Sequence, residues 1–186
     1  MKILALDQAR NCGFSIFESE GCKLIAYGLF SYPNSKYTFA QAVLNLERAI
    51  ENLINKNQID AVFLEGIQLR KNPKSFACLA QLQGVLINLC EKRGLPYAIV
   101  QPTSWQSFCG AKGRSSKDAG KKLAETDSQT DDVNLKGKKA SKILSIQYVK
   151  DKYNIDTCND NIADAVCIGT YVVNNIEKFD FKEKKQ

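Results

Sequence analysis

Histidine is absent from the 186 residues of this chain. Its absence excludes a Ser-His-Asp triad, a Cys-His pair, an HExxH zinc site and any imidazole acid or base. An enzyme of this composition working near neutral pH must rely on carboxylates, lysines, cysteines, a metal or a cofactor. No apolar run approaches the roughly 20 residues that span a bilayer. No secretory leader is visible either, because Met1-Lys2 opens directly into a strand-like run closed by Asp7. The seven cysteines (Cys12, Cys22, Cys78, Cys90, Cys109, Cys158 and Cys167) are odd in number and never spaced CxxC. That argues against zinc ribbons and disulfide frameworks and predicts small buried hydrophobes in a reducing compartment. Together these absences predict a soluble cytoplasmic protein with no membrane partner.

What is present is an ordinary globular composition: 44% hydrophobic and 25% charged residues, with 26 basic against 20 acidic side chains and a net charge of +6. Folding a chain of this length removes roughly 70% of its unfolded surface from water, enough for a core without disulfides or metal. The positive excess permits a polyanionic partner such as nucleic acid without requiring one.

Along the chain, Lys2 to Leu6 reads as a buried strand ending in Asp7. A turn at Arg10 to Gly13 leads to a second strand over residues 14–18, and residues 23–32 form a third, giving an antiparallel meander. Apolar residues at three- and four-residue steps from Thr38 to Lys56 predict an amphipathic helix. Residues 61–64 form an apolar fourth strand ending in Glu65, residues 74–93 a second helix, and residues 96–100 a fifth strand with a short helix after Pro102. Residues 110–139, poor in large apolar side chains, read as a long loop or mobile arm. Helices are expected at 138–153 and 162–173, followed by a charged, frayed tail. The order βββαβαβ predicts an α/β fold with a mixed five-stranded sheet, three antiparallel strands and then parallel ones, flanked by helices. The apolar arc of helix 74–93 covers roughly 200°, wider than one sheet face needs. It fits either a helix sandwiched within its own domain or one with a face against a partner subunit.

Three acids abut these core segments. Asp7 and Glu65 each close an apolar strand, where function gathers in open α/β sheets, and Asp164 opens the apolar run Ala165 to Ile168. Each has an ordinary explanation: a turn-forming Asx residue, a lone solvated acid, or a first-turn acid favoured by the helix dipole. Taken together with the missing histidine, they suit hard divalent cations, and two such ions roughly 3.5–4 Å apart promote phosphodiester hydrolysis.

The segments Met1 to Gln8 and Gly13 to Ile16 resemble the first two strands of the RNase H-like superfamily. Leu64 to Gln68, then Lys71 to Ser75, then Leu82 to Val85 resemble the second acidic motif of RuvC-like Holliday-junction resolvases, and Ile162 to Ala165 resembles their C-terminal motif. Within that family the chain is most similar to the bacteriophage-encoded branch, which would place it in a bacterial host cytoplasm. The resemblance implies an RNase H-like fold and a Mg²⁺ (or Mn²⁺) dependent endonuclease with two ions per site, cutting four-way or other branched DNA as a homodimer. It places the metal-holding carboxylates at Asp7, Glu65 and Asp164 and the dimer interface on residues 74–93. The resemblance covers roughly residues 1–105 and 138–173; with the composition of the rest it predicts one nuclease domain over residues 1–175, with a basic flexible segment at about 110–139 and a charged tail at 176–186.

Two departures stand out. Three residues before Asp164, where the family carries an acid or a histidine, this chain has Asn161, a neutral oxygen ligand at best. Asp160, four residues before Asp164, shares its helical face if the helix reaches back that far, and can substitute. Where some relatives place an aromatic wedge three residues after the catalytic Glu, this chain has Gln68. Basic residues supply the expected DNA contacts: Arg70, Lys71 and Lys74 near Glu65, then Lys112, Arg114, Lys117, Lys121 and Lys122 with only Asp118 opposed. The alternative reading is a structure-selective branched-DNA-binding protein with weak or lost cleavage, for which Asn161 is the reason. An actin-like kinase, whose first strand also ends in Asp, is disfavoured because that fold needs two such domains and a phosphate-gripping glycine turn.

Overall fold

Two strands of almost purely apolar residues form the centre of the molecule. In the computed structural model, which describes residues 1–69, 72–112 and 140–179, β1 (Lys2–Asp7) and β4 (Ala61–Glu65) lie side by side in parallel. Both read as unbroken apolar runs because both sheet faces above them are covered. β2 (Asn11–Glu18) pairs antiparallel with β1, β3 (Lys23–Ser31) pairs antiparallel with β2, and β5 (Tyr97–Val100) pairs parallel with β4. The sheet order is β3-β2-β1-β4-β5, the mixed arrangement that the sequence predicts. β2 begins earlier than expected, at Asn11, because Asn11 to Gly13 pair with β3 and shorten the turn to Gln8-Ala9-Arg10.

One face of the sheet carries α1 (Phe39–Asn57) and α2 (Pro73–Arg93). Leu46, Ile50, Leu82, Leu86 and Leu89 pack there on Leu4, Leu6, Val62 and Leu64. Thr38 caps α1 with a reciprocal box to Gln41. Asn72 caps α2 ahead of Pro73 at its first position, and Gly94 closes it in a left-handed conformation. The other face carries α3 (Pro102–Phe108), α4 (Ala140–Tyr153) and α5 (Asp160–Val173) on Ile3, Ala5, Phe17, Ala61 and Phe63.

α5 lies unusually close to β2. A Cβ on Gly13 would stand 1.9 Å from the Asn161 carbonyl oxygen, and one on Gly169 would stand 2.5 Å from the Phe17 ring. Ser15 Oγ donates to the Ala165 carbonyl at 2.7 Å between those two contacts. Only small residues on both surfaces permit this approach, and it fixes Asp164 over the end of β1.

Packing also continues past residue 175. After a short 3-10 turn at Ile176–Lys178, Phe179 stacks edge-on against Phe63 at 5.0 Å, so the start of the expected frayed tail belongs to the core. Ala111, at the start of the expected long loop, is likewise fully buried. The rest of both expectations falls on residues outside the described ones. Cys12, Cys90, Cys109 and Cys167 are buried as expected, whereas Cys78 and Cys158 are exposed. Among the described residues no helix is long and apolar enough to cross a membrane.

Candidate active site

Parallel register brings the first two acids together. The last matched pair of the β1–β4 ladder is Leu6 with Leu64, so Asp7 and Glu65 stand next in line on adjacent strands. Side chains alternate along a strand. Leu6 and Leu64 face α1 and α2, so Asp7 and Glu65 face the layer of α3, α4 and α5. α5 delivers Asp164 to the same place. Asn159 caps that helix by accepting from the amides of Asn161 and Ile162, so the helical turns begin at Asp160.

Burial and mutual repulsion shape the chemistry of this cluster. Asp7 is 8% exposed and Asp164 is 3% exposed. Burial, then the charges of Glu65 and Asp164, push the Asp7 carboxyl well above the ordinary range, against the pull of Lys142. Burial and then Asp164 raise Glu65, opposed by Lys142 and by hydrogen bonds from Trp105 and Asp7. Burial also raises Asp164, with Lys142 the main opposing influence. Lys142 on α4 ion-pairs with Asp164 Oδ2 and, at 3.3 Å, with Asp160 Oδ2. Burial alone would depress this lysine, but Asp164 and Asp7 outweigh it and hold it firmly protonated.

One ammonium does not balance two buried carboxylates, Asp7 and Asp164, and the half-buried Glu65 beside them, and such an excess of like charge is costly without further positive charge. Asp164 Oδ1 is buried with no hydrogen-bond partner; the neighbouring Ser145 hydroxyl, which helps to lower the Asp164 carboxyl, donates to the Lys142 carbonyl at 3.1 Å. An all-oxygen set with an unsatisfied carboxylate oxygen fits a hard divalent cation. Among the described residues no group of three or more acids or cysteines is placed to hold a metal ion as it stands, and the Lys142 ammonium sits against one of the carboxylate oxygens that would be needed.

The remaining expected residues fall into three groups. Asn161 sits in the first turn of α5 with its carbonyl against Gly13, while Asp160 shares Lys142 with Asp164. Gln68, Lys74 and Lys112 are exposed, and Leu69, beside Gln68, is the most exposed large apolar residue described, at 70%. Arg70, Lys71, Arg114, Lys117, Lys121 and Lys122 lie outside the described residues.

Four residues of the site escaped sequence reasoning. Lys142 gave no signal among many lysines. Trp105, whose Nε1 donates to Glu65 Oε1 at 3.1 Å, was marked only by being the chain's one tryptophan. Gln8 and Gln83 both bond the Glu65 main chain. Gln83 was detectable as a polar residue inside the wide apolar arc of α2.

The sheet order, the helices on both faces and the acids at the ends of the two central strands define an RNase H-like domain. A model of the family described as crossover junction endodeoxyribonuclease RuvC matches residues 3–125, and the chain belongs to the RuvC family. It is 30% identical over 118 residues to RuvC of Protochlamydia amoebophila, covering 62% of this chain and 70% of that one. It is 33% identical over 98 residues to RuvC of Ehrlichia chaffeensis, covering 52% and 62%. Among solved structures it matches T. thermophilus RuvC in complex with a Holliday junction substrate, with a TM-score of 0.68 at 10% identity over 96% of each chain. It also matches the fowlpox virus resolvase with its substrate Holliday junction DNA, at 0.54 and 20% identity over 95% and 99%. At these identities the structural likeness is one of fold.

Proposed function

We propose that this chain is a divalent-cation-dependent endonuclease that hydrolyses phosphodiester bonds in four-way junctions or other branched DNA. Family membership supports the activity. The observation that carries the site assignment is the gathering of Asp7, Glu65 and Asp164 in one half-dry patch with Asp164 Oδ1 unpartnered. Asp7, Glu65, Asp164 and Asp160 would hold two Mg²⁺ or Mn²⁺ ions, which when bound supply an activated water and stabilise the leaving oxygen. The chain's own contribution is orientation. The parallel ladder aligns Asp7 with Glu65, Trp105 holds the Glu65 carboxylate, and Lys142 neutralises Asp164 and Asp160 until phosphate or metal enters.

Exposed Gln68, Lys74 and Lys112, with Arg70, Lys71, Arg114, Lys117, Lys121 and Lys122, would contact DNA, each phosphate contact adding to the salt dependence of binding. Residues 1–175 and the short segment packed behind them would act as one nuclease domain, with the basic segment at 110–139 as an arm. The working unit would be a homodimer through residues 74–93. The supporting observation is that Phe76, Leu79 and Ala80 are only half buried, and Ala77 and Cys78 exposed, along a helix whose buried residues begin at Leu82.

Incubating the protein with end-labelled four-way junction and Mg²⁺ tests the activity directly. Asp7→Asn and Glu65→Gln should each abolish cleavage while junction binding stays equal or tightens, because both changes relieve repulsion of phosphate. A loss on the order of 10³-fold follows from removing a ligand worth several kcal/mol. A variant that cuts near the wild-type rate overturns the site. A wild-type protein that binds junction without cutting it supports the second reading, a branched-DNA-binding protein, which Asn161 in place of an acid favours.

A further inference from the structure

Glu65 is fixed by more than its strand. The β1–β4 ladder ends at Leu6 and Leu64, so the amide and carbonyl of Glu65 extend beyond it toward the chain leaving β1. Gln8 meets both: its Oε1 accepts from the Glu65 amide at 2.9 Å, and its Nε2 donates to the Glu65 carbonyl at 2.5 Å. A primary carboxamide offers the same acceptor and donor as a peptide unit. The side chain therefore continues the ladder by one residue where the backbone has already turned away.

The same carbonyl accepts a second bond, from Gln83 Nε2 at 2.9 Å. Gln8 is 3% exposed and Gln83 is 8% exposed. Carboxamides this deeply buried are costly unless their hydrogen bonds are made, so each depends on the Glu65 peptide as much as it restrains it. The two come from different places, Gln8 from the end of β1 and Gln83 from the middle of α2. On the other side of the strand, Trp105 Nε1 holds the carboxylate itself.

We propose that Gln8 and Gln83 are positioning residues: their carboxamides clamp the Glu65 peptide and so set how tightly its carboxylate takes a divalent cation, with Gln83 making that carboxylate answer to the placement of α2. The proposal rests on Glu65 being a cation ligand. Gln83 precedes Gly84 and follows Leu79 by one turn, on the helix assigned to the subunit interface. A shift of α2 against the sheet therefore pulls on one of the two bonds at the Glu65 carbonyl and is felt at the site without any change in the carboxylates.

Trp105 provides the readout, since the chain has a single tryptophan and it donates to Glu65. Full-length wild type, Gln8→Leu and Gln83→Met are titrated with Mg²⁺ in the absence of DNA, following Trp105 emission and, in parallel, binding heat. The midpoint should rise about tenfold or more in each variant, the scale typical of groups that orient a metal-holding side chain. Junction affinity without metal should stay within twofold of wild type, and excess Mg²⁺ should restore most of the cleavage rate. Midpoints unchanged from wild type, with any loss of cleavage following thermal stability alone, overturn the clamp. Should Gln8→Leu fail to melt cooperatively, Gln83→Met decides alone, because methionine keeps the side chain's length while removing the donor. A wild-type protein whose emission and heat ignore Mg²⁺ overturns the cation reading of Glu65 first, and the clamp with it. A wild type that responds beside variants that respond identically removes the clamp only.

Discussion

Helix α5 buries ten of its 14 residues, including every one from Ala163 to Thr170, whereas α2 buries five of 21 and none before Leu82. The contrast is one of surroundings more than composition. α5 sinks into the sheet because Gly13, Ser15 and Gly169 let its backbone approach β2, and its one acid in that stretch, Asp164, is carried inside with it. α2 rests on the opposite face by its C-terminal half only. Its first turns hold Phe76, Leu79 and Ala80 half exposed beside Ala77 and Cys78. A helix that is apolar nearly all round and almost completely covered has found its partners within the domain; one with a wide apolar arc covered only over its C-terminal half has not.

The largest expected effect tests that difference. Wild-type protein at micromolar concentration should sediment near twice the chain mass of 20.7 kDa, and Leu79→Asp should convert it wholly to monomer. An aspartate cannot be buried against a second apolar helix without a partner, whereas on a surface facing only water it is harmless. A wild-type monomer at all accessible concentrations would remove the contrast's functional meaning.

A second test concerns the first turn of α5. Asp160 and Asp164 share the Lys142 ammonium, and Asn161 presents its backbone to Gly13. Asp160→Asn should therefore raise the Mg²⁺ needed for half-maximal cleavage by roughly tenfold, the equivalent of about 1.4 kcal/mol in one charge-assisted contact. Asn161→Asp should change it by less than twofold. The reverse order, measured by single-turnover cleavage across a Mg²⁺ titration, would make Asn161 the ligand and Asp160 an ordinary first-turn acid favoured by the helix dipole.

The same contrast shows what could be read from sequence and why the rest could not. The strands were legible because β1 and β4 are unbroken apolar runs ending in an acid, and β2 alternates. Asp7 and Glu65 were legible for the same reason, since a carboxylate at the end of a buried strand is conspicuous. The helical start at Asp160 was not fixed by periodicity, because the cap that sets it, Asn159, sits in a polar stretch with several possible starts. Lys142 was hidden for a different reason. Its role comes from the way α4 crosses α5, a tertiary fact that leaves no local pattern. Gln8 was in plain view beside Asp7, yet its function depends on a ladder that stops at Leu6, and only pairing register reveals that.

The smallest expected effect is also the most discriminating. Gly84 sits mid-helix in α2 with an ordinary negative φ, and a Cβ built there meets nothing within 4 Å. In an isolated chain, Gly84→Ala should therefore stabilise the fold by about 0.5–1 kcal/mol, the usual advantage of alanine over glycine within a helix. If α2 packs on its counterpart in a second copy, the added methyl enters the helix crossing, and the benefit shrinks or reverses as the dimer forms. Denaturant unfolding at concentrations well below and well above the dimerisation midpoint separates the two cases. A gain confined to dilute protein places Gly84 in the interface. A gain of the same size at every concentration leaves that face of α2 in water, and the uncovered half of the helix would then need another partner.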